Sequence, residues 1–557
     1  MSTASLHTAI LALTLVGSLT ACSDKQATVY RTSAAGEKCT QVENITFHKG
    51  TIDNAYIINT NDQRQQIDGF GVSLTESSAF VLACLPEEQR NAVLQEFFSE
   101  QGANFSVART MIGASDFSVE GKYSYVELDD ETAAKINQET NQEVADQYLL
   151  STFSLAHDIE GFSKEQYPSI QDEHYDLYHL MKDVAAIKAQ QTDLTYRIIA
   201  SPWTAPAWMK DNGMYYQRDN TARRGGKLLP QYYSTFAKYI VKYMQFWQNE
   251  GINFWTITPE NEPMGNDGGW ESMEMSPAEE ALFIGQYLGP ELQANGFTDV
   301  NIFGFDQNIF EMGPYTAAIY GDSLANTYTN GMAIHWYGST ISCFPNVLDS
   351  IHALYPNKIL FHTEGCVDNL GCPDWPGVSD PAGFTESGWF NNDSFWWTPS
   401  ATDWAYSTPF WPELHPAYAV THRYASYIID GLNHWMSGLC DWNMALDSIG
   451  GPTHVQNRCG APVMVDYKND IVYYTPYYYI LKQFSRSMRP GDTVLGTTTD
   501  TPNDNLHICA VQKQAGQTAI QILNTANEPQ NVRLQIDDNY ASFQMPANAV
   551  QTIIVKL

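Results

Sequence analysis

Short apolar runs alternate with longer amphipathic stretches from about residue 67 to about residue 484. This alternation is typical of βα units, in which buried parallel strands are joined by helices. Eight runs are predicted to be strands: 67–75, 105–113, 196–203, 254–260, 300–306, 331–338, 358–364 and 439–446. Eight strands separated by helices predict an α/β fold of the (β/α)8 barrel type.

Helical stretches lie between these runs. The stretch from Pro86 begins with proline and acidic residues, which suit the first turn of a helix. The predicted helices are 86–100, 174–190, 229–251, 276–292 and 415–435. Two long inserts, 119–172 and 366–412, interrupt the pattern, and the second directly follows a strand end, so we expect it on the catalytic face.

A different pattern begins near residue 485, where polar and apolar residues alternate between turns, as in TAIQILNT and NVRLQIDD. This pattern predicts a small antiparallel β-sandwich domain at 485–557. The strand-like pieces within 22–66 are expected to join it. The barrel is then predicted to span 67–484.

The first 21 residues are predicted to be a signal peptide. Ala9 to Leu19 is apolar but too short to span a bilayer, and it leads into Leu19-Thr20-Ala21-Cys22, which resembles a bacterial lipobox. The resemblance implies cleavage before Cys22 and lipid attachment to its sulfur. An ordinary secretory signal is the alternative. We therefore expect an exported lipoprotein of the cell envelope, periplasmic or at the cell surface, with membrane contact only through this anchor.

Composition and charge limit the class of partner. Hydrophobic residues make up 43% and charged residues 17%, which indicates a globular chain. The net charge of −33 argues against nucleic acid or an acidic polysaccharide as partner. It favours a neutral or cationic ligand, or serves only solubility. The 13% of aromatic residues suits a carbohydrate site or a large core.

Eight cysteines follow Cys22, and two of them, Cys366 and Cys372, are close enough in sequence to close a small loop. Spacing alone leaves their pairing open. Neither CxxC nor HxxxH spacing occurs among the cysteines and histidines, so we predict no zinc site and no cofactor.

Two glutamates carry the candidate chemistry. Glu262 follows the run FWTITPE, and Glu364 ends the run KILFHTE. On the strand count these are the ends of the fourth and seventh barrel strands. Two carboxylates at the carboxyl ends of barrel strands suit a glycoside hydrolase, in which one is a proton donor and the other a nucleophile or base. Asn261, directly before Glu262, is placed to bind a sugar 2-hydroxyl.

Longer motifs resemble glycoside hydrolase family 30, the family of lysosomal glucosylceramidase. The resemblance covers most of the chain. It rests on GFGVSLTESSA, ARTMIGASDFS, SPWTAPAWMK, TPENEP, AIHWY, HTEGC, and DWNMALD followed by GGPTHVQN. Several long segments in one order are more specific than a single motif.

The resemblance implies that Glu262 is the general acid/base and Glu364 the nucleophile. It places Tyr337 near Glu364, with His335 close behind. We expect His335 to orient its neighbours rather than carry a proton, and Asp116, in the turn after the second strand, to be structural. Glu76 stands where the family is taken to carry an aspartate that binds outer sugar hydroxyls. The implied substrate-binding set is Glu76, Trp203, Asn261, His335, Tyr337, Trp442 and Asn457.

The predicted activity is hydrolysis of a neutral β-glycoside, most readily a β-glucoside, by double displacement with retention. An endo-β-1,6-glucanase, a β-xylosidase and a β-fucosidase remain alternatives within the family. A non-catalytic carbohydrate-binding lipoprotein is the alternative from another class. The insert tryptophans are either sugar platforms or a lid, or a packed loop without ligand: Trp389, Trp396, Trp397, Trp404 and Trp411.

Overall fold

The computed structural model describes residues 24–216, 225–266, 269–367, 389–399, 413–455 and 457–557. The predicted signal peptide with Cys22 lies outside the described residues, as do Cys372, Trp404 and Trp411.

Twenty strands are present in the described chain. In chain order they are β1 Lys25–Ser33, β2 Thr40–Lys49, β3 Tyr56–Gln66, β4 Gly69–Ser73, β5 Val107–Met111, β6 Arg197–Ser201, β7 Thr256–Ile257, β8 Asn301–Asn308, β9 Thr329–His335, β10 Ile359–Glu364, β11 Met436–Asp441, β12 Ala445–Asp447, β13 Val463–Asp466, β14 Ile471–Tyr474, β15 Thr493–Thr498, β16 Leu506–Gln512, β17 Thr518–Asn524, β18 Gln530–Ile536, β19 Asn539–Met545 and β20 Ala549–Val555.

Strands β4 to β11 close into a parallel barrel in chain order, and each overlaps one of the eight predicted runs. The predicted barrel is therefore confirmed. Strand β7 is the fourth barrel strand and β10 the seventh. Apolar residues from several strands fill the interior, among them Val107, Ile199, Phe303 and Phe361. Parallel strands buried on both faces read as continuous apolar runs, which is why the pattern was visible.

The helices of the described chain surround the barrel or extend its loops. They are Glu76–Ala83, Glu87–Phe98, Asp130–Gln138, Gln142–Thr152, Ala156–Glu160, Leu177–Lys188, Tyr233–Asn249, Pro277–Phe283, Gly289–Ala294, Met312–Gly321, Ser323–Tyr328, Pro345–Leu354, Asp393–Trp397, Val420–Asn433 and Pro476–Ser487. The predicted helix 276–292 is divided by a π-helical turn at Ile284–Leu288. None of the helices in the described ranges is both long and apolar enough to cross a membrane.

The second domain is a nine-stranded closed sheet in the order β1-β2-β19-β18-β3-β15-β16-β17-β20. The expectation that amino-terminal strands join the carboxyl-terminal ones is confirmed, because β1 pairs with β20 and β3 with β15. The predicted antiparallel pairing holds for every described strand pair of this sheet except one. Strand β18 runs parallel to β3, from Leu534 opposite Tyr56 to Ile536 opposite Ile58.

The inserts differ in how much of them is described. The first contains the three helices between Asp130 and Glu160. In the second, Trp389, Trp396 and Trp397 are almost completely buried and belong to the barrel core. This burial favours the packed-loop alternative for these three tryptophans.

Candidate active site

Glu262 and Glu364 meet at the carboxyl-terminal end of the barrel. Glu364 is the last residue of β10, and Glu262 lies in the loop after β7. The imidazole Nδ1 of His335 lies 3.3 Å from Glu262 Oε1 and 3.9 Å from Glu364 Oε1. One oxygen of each carboxylate and one nitrogen of His335 all lie within 4.8 Å of one another. The two carboxylates therefore face a common space.

The backbone at Glu262 is held in the left-handed region, with φ of 51°. A non-glycine residue in this region is strained and persists only when its surroundings fix it. The Glu262 amide donates to the Asp306 carbonyl at 3.0 Å, and the Asn261 amide donates to the Pro202 carbonyl at 2.7 Å. Neighbouring strand ends thus fix the direction in which the Glu262 side chain leaves the chain.

Arg109, from the middle of β5, connects several of the predicted site residues. Its guanidinium donates to Glu364 Oε2 at 2.5 Å and to Asn261 Oδ1 at 2.6 Å. It also lies over the ring of Trp203, 4.8 Å from the centroid. The side chain is fully buried. A fixed cation on Glu364 stabilises the ionised carboxylate that a nucleophile requires.

Asp306, at the end of β8, is the buried anion that balances Arg109. Its Oδ2 accepts from Arg109 at 2.8 Å and from Thr258 Oγ1 at 2.8 Å. Its Oδ1 accepts from Thr363 Oγ1 at 2.6 Å and lies 3.0 Å from His335 Nε2. Burial acts to raise the pKa of Asp306, but Arg109 and His335 hold it well below its usual range. Asp306 is therefore permanently ionised.

His335 is fully enclosed, and its two ring nitrogens face Glu262 and Asp306. Burial alone lowers its pKa, but the carboxylates of Glu364, Asp306 and Glu262 outweigh burial and raise that pKa to about 9. At neutral pH the ring is an imidazolium that donates from both nitrogens. Its enclosed position suits orienting the catalytic glutamates rather than touching a sugar.

The two catalytic carboxylates differ in exposure. The Glu262 side chain is 19% exposed and that of Glu364 8%. Burial raises the pKa of Glu364, while the positive charges of His335 and Arg109 act in the opposite direction. The hydroxyl of Tyr337 donates to Glu364 Oε1 at 3.1 Å. Tyr337 is thus placed beside Glu364, as the resemblance implied.

Trp203 and Trp442 form an aromatic wall next to Arg109. Their rings stack at 5.2 Å with an interplanar angle of 22°. Phe117 packs edge-on against Trp442 at 5.8 Å. Both side chains are only 2% exposed, so in this structure the pair forms a packed aromatic wall beside Arg109.

Asp116 and Asn457 form a polar pair on the same side of the site. Asn457 Nδ2 donates to Asp116 Oδ2 at 2.8 Å. Burial and the charges of Glu364 and Glu262 raise the pKa of Asp116 to about 8. The buried carboxyl therefore lies close enough to the two glutamates to be affected by their charges, and the expectation that Asp116 is structural stays a prediction.

Glu76 has a different environment from the expected one. Its Oε2 accepts from the Tyr123 hydroxyl at 3.2 Å, and the same hydroxyl lies 3.2 Å from Asp158 Oδ1. Burial, together with Asp158, raises its pKa to about 7 although His157 acts in the opposite direction. Its described contacts join the helix Glu76–Ala83 to the first insert. The described contacts include no hydrogen bond to Glu262 or Glu364, and the role of Glu76 in binding outer sugar hydroxyls stays a prediction.

The donor atoms of Glu262, His335 and Glu364 could in principle surround a cation. However, Arg109 and Tyr337 already bind the two oxygens of Glu364. The nitrogens of His335 face Glu262 and Asp306. The arrangement is therefore better suited to proton transfer and nucleophilic attack than to metal binding.

Sequence reasoning missed Arg109 and Asp306. Each is a charged residue inside an otherwise apolar barrel strand, in FSVARTMIG and NIFGFDQN. A buried charge needs a partner of opposite sign, so two such charges of opposite sign in two different barrel strands were the available signal.

Family models match almost the whole described fold. The Glycosyl hydrolase family 30 TIM-barrel domain matches residues 67–373 and 414–488. The Glycosyl hydrolase family 30 beta sandwich domain matches residues 493–553. The chain belongs to glycosyl hydrolase family 30. This family 30 chain is accordingly a glycoside hydrolase.

Curated relatives of this family 30 enzyme include glucosylceramidases and endo-1,6-β-glucanases. Lysosomal acid glucosylceramidase from Mus musculus is 26% identical over 477 residues, which cover 85% of this chain and 77% of that protein. Putative glucosylceramidase 3 from Caenorhabditis elegans is 27% identical, and the match covers 96% of this chain and 89% of that protein. Endo-1,6-beta-D-glucanase neg1 from Aspergillus fumigatus is 26% identical, and the match covers 84% of this chain and 80% of that protein.

Solved structures share the fold of this family 30 enzyme. SrfJ from Salmonella typhimurium superposes with a TM-score of 0.74 at 24% identity, covering 96% of this chain and 100% of that one. An endo-beta1,6-glucanase superposes with a TM-score of 0.71 at 23% identity, covering 95% and 99%. At these identities the likeness concerns the fold.

Proposed function

We propose that this enzyme is a retaining β-glycosidase that acts most readily on β-glucosides. The observation that carries the proposal is the spacing of Glu262 and Glu364, whose nearest oxygens lie within 4.8 Å. Retaining glycosidases hold their two carboxyl groups about 5 to 5.5 Å apart, whereas inverting enzymes need about 6.5 to 9.5 Å to admit a water molecule.

In the first step Glu364 attacks the anomeric carbon while Glu262 gives its proton to the glycosidic oxygen. The C–O bond to the leaving group breaks and a covalent glycosyl ester forms on Glu364. Arg109 and Tyr337 hold the attacking carboxylate in place, because each donates to one of its oxygens. Glu262 is the more exposed of the pair, which suits its contact with the leaving group.

In the second step Glu262, now ionised, takes a proton from water, and the resulting nucleophile releases the sugar from Glu364. Asn261 is fixed by Arg109 and adjoins Glu262, which suits a contact with the 2-hydroxyl of the sugar. The wall formed by Trp203 and Trp442 and the pair Asp116–Asn457 would bind the remaining sugar surface.

The relatives named as glucosylceramidases support β-glucosides as substrates. Endo-β-1,6-glucanase activity is the second candidate, because the curated glucanase is 26% identical, as is the mouse glucosylceramidase. Overall sequence identity therefore does not distinguish glucosylceramidase activity from endo-β-1,6-glucanase activity.

The stereochemical test follows the first-formed product by proton NMR during hydrolysis of 4-nitrophenyl β-glucoside. Retention predicts that β-glucose appears first and then mutarotates. Azide adds a second test. The Glu364→Gly variant with azide should give the α-glycosyl azide, and Glu262→Ala with azide should give the β-glycosyl azide. First appearance of α-glucose would contradict the proposal.

A substrate panel separates exo from endo action. It contains the aryl β-glucoside, β-xyloside and β-fucoside, a glucosylceramide and a β-1,6-glucan. Monosaccharide release from the glucoside or the glucosylceramide supports the first candidate. Oligosaccharide release from the glucan with the aryl glycosides untouched supports the second, and preference for the xyloside or fucoside would replace the glucose assignment.

A further inference from the structure

Two cysteines meet directly behind the catalytic centre. Cys366 follows Glu364 at the end of β10, and Cys459 follows Asn457 in the loop after the eighth barrel strand. Their Sγ atoms lie 3.3 Å apart, and both residues are buried. A covalent S–S bond is about 2.05 Å long, so an approach of roughly 1.3 Å would join them.

The backbone already holds the two segments together. The Gly460 amide donates to the Val367 carbonyl at 2.7 Å, which makes an isolated antiparallel bridge next to both cysteines. The Cys459 amide donates to the Gly450 carbonyl at 2.9 Å. Both thiols therefore lie on segments that the backbone already holds side by side.

We propose that Cys366 and Cys459 form a disulfide that ties the strand carrying Glu364 to the loop carrying Asn457. The step needs a dithiol–disulfide oxidant, either a thiol oxidase or oxidised glutathione. One cysteine thiolate attacks the oxidant disulfide and expels its first thiol. The second cysteine then attacks the mixed disulfide and expels the other. Two protons and two electrons pass from the cysteines to the oxidant, which leaves as two thiols.

The bond would act on the site through two contacts. Cys366 Sγ lies 3.4 Å from the Tyr337 hydroxyl, and this hydroxyl also donates to Glu364 Oε1. Oxidation replaces the thiol next to this hydroxyl with a disulfide sulfur. On the other side, Asn457 is fixed relative to Glu364, and its side-chain amide donates to Asp116. The disulfide therefore acts on the surroundings of the nucleophile and on the geometry of the sugar site together.

The test compares the full chain produced in an oxidising bacterial periplasm with the same chain produced in the reducing cytosol. Both are alkylated in denaturant, digested without reductant and analysed by mass spectrometry. The proposal expects a peptide pair linked through Cys366 and Cys459 in the periplasmic sample alone. A Cys366–Cys372 pair, or complete alkylation of Cys366 and Cys459 in the periplasmic protein, would overturn it.

Thermal unfolding gives an independent readout. The bond spans a sequence separation of 93 residues, so oxidation should raise the unfolding midpoint by about 5 °C. Cys459→Ala should lose this difference between oxidised and reduced protein. Cys509→Ala, which removes a buried cysteine of the small domain, and Cys372→Ala should keep it. Loss of the difference in Cys372→Ala would overturn the pairing.

The pH dependence of kcat/KM reports the contact with Tyr337. Oxidised wild-type enzyme should show its acid limb at a different pH from reduced enzyme, because the Tyr337 hydroxyl that donates to Glu364 then faces a disulfide sulfur in place of a thiol. Cys459→Ala should show no such difference. An equal shift in that variant would overturn the link between the sulfur and the nucleophile.

Discussion

Asp306 and His335 form a fully buried ion pair behind the catalytic glutamates, with Oδ1 and Nε2 3.0 Å apart. Asp306 also binds Arg109, so one carboxylate fixes both cations of the site. His335 in turn faces Glu262, and Arg109 binds Glu364. Each catalytic glutamate is therefore positioned through its own cation by the same buried anion.

Replacing Asp306 with Asn should damage stability and catalysis together. Arg109 and His335 would remain buried with less negative charge, and loss of one partner of a buried pair costs about 3 to 5 kcal/mol. We expect a lower unfolding midpoint, a fall in kcat, and a lower pKa of His335 measured by NMR. Thr258→Val is the matched control, because it removes one hydrogen bond to Asp306 but keeps the charge. An equal loss in both variants would contradict a charge-based role.

Replacing Glu364 with Gln should abolish turnover with the fold intact. The amide keeps the shape of the side chain but cannot form the glycosyl ester, so kcat should fall by roughly 10³-fold or more. Circular dichroism and the unfolding midpoint check the fold. Glu279→Gln, in the capping box of the helix Pro277–Phe283, should weaken that helix while turnover persists. Unchanged turnover in Glu364→Gln would remove the nucleophile assignment.

Replacing Tyr337 with Phe should move the acid limb of kcat/KM to higher pH. The hydroxyl stabilises ionised Glu364, and its loss raises the pKa of this carboxyl further. Catalysis requires the ionised form, so activity at acidic pH should fall more than activity near neutrality. A pH profile between pH 4 and pH 8 measures this, and a uniform loss at every pH would be the contrary result.

Asp116 provides a test of sugar binding. Below its pKa of about 8 the buried carboxyl is neutral and both donates and accepts hydrogen bonds. Asn keeps both abilities and Ala keeps neither. We therefore expect Asp116→Ala to lower kcat/KM by about 10- to 100-fold, mostly through KM, and Asp116→Asn to have a smaller effect near pH 6. Equal values for the two variants would contradict this reasoning.

Glu76 should affect how the free energy of unfolding depends on pH. Its folded pKa of about 7 lies above the ordinary value of 4.5, so the unfolded chain releases its proton first as pH rises. The stability that the buried neutral carboxyl contributes below about pH 4.5 is therefore lost progressively as the pH rises through about 7. In Glu76→Gln this part of the dependence should disappear, with kcat/KM for a β-glucoside largely kept. A large rise of KM in that variant would restore the substrate-binding prediction.

The barrel was predictable because its strands are short, apolar and regularly spaced, and the ends of β7 and β10 were marked by glutamates. The fourth strand was overestimated, since only Thr256 and Ile257 pair with their neighbours. On either side of this pair, Trp255 and Thr258 still make single backbone hydrogen bonds to β6, but the strand does not extend through them. Local sequence does not distinguish these two states.

The charged interior was less predictable. Arg109 and Asp306 lie nearly 200 positions apart and meet only because β5 and β8 end at the same face of the barrel. Glu76 was placed by its position after the first strand, but its surroundings come from Tyr123 and Asp158 in an insert without regular periodicity. Such contacts depend on loop packing, which no local pattern encodes.

The circular arrangement of the second domain has a consequence for biosynthesis. Strands β1 to β3 leave the ribosome first, yet β1 binds β20, and Arg31 binds Gln551 at a separation of 520 positions. Until synthesis is nearly complete, these three strands have exposed edges that can pair with another chain. The barrel, whose strands are consecutive, can close earlier. A nascent chain whose barrel has closed thus still has an unpaired sheet edge in the second domain, which is a site for pairing with another chain.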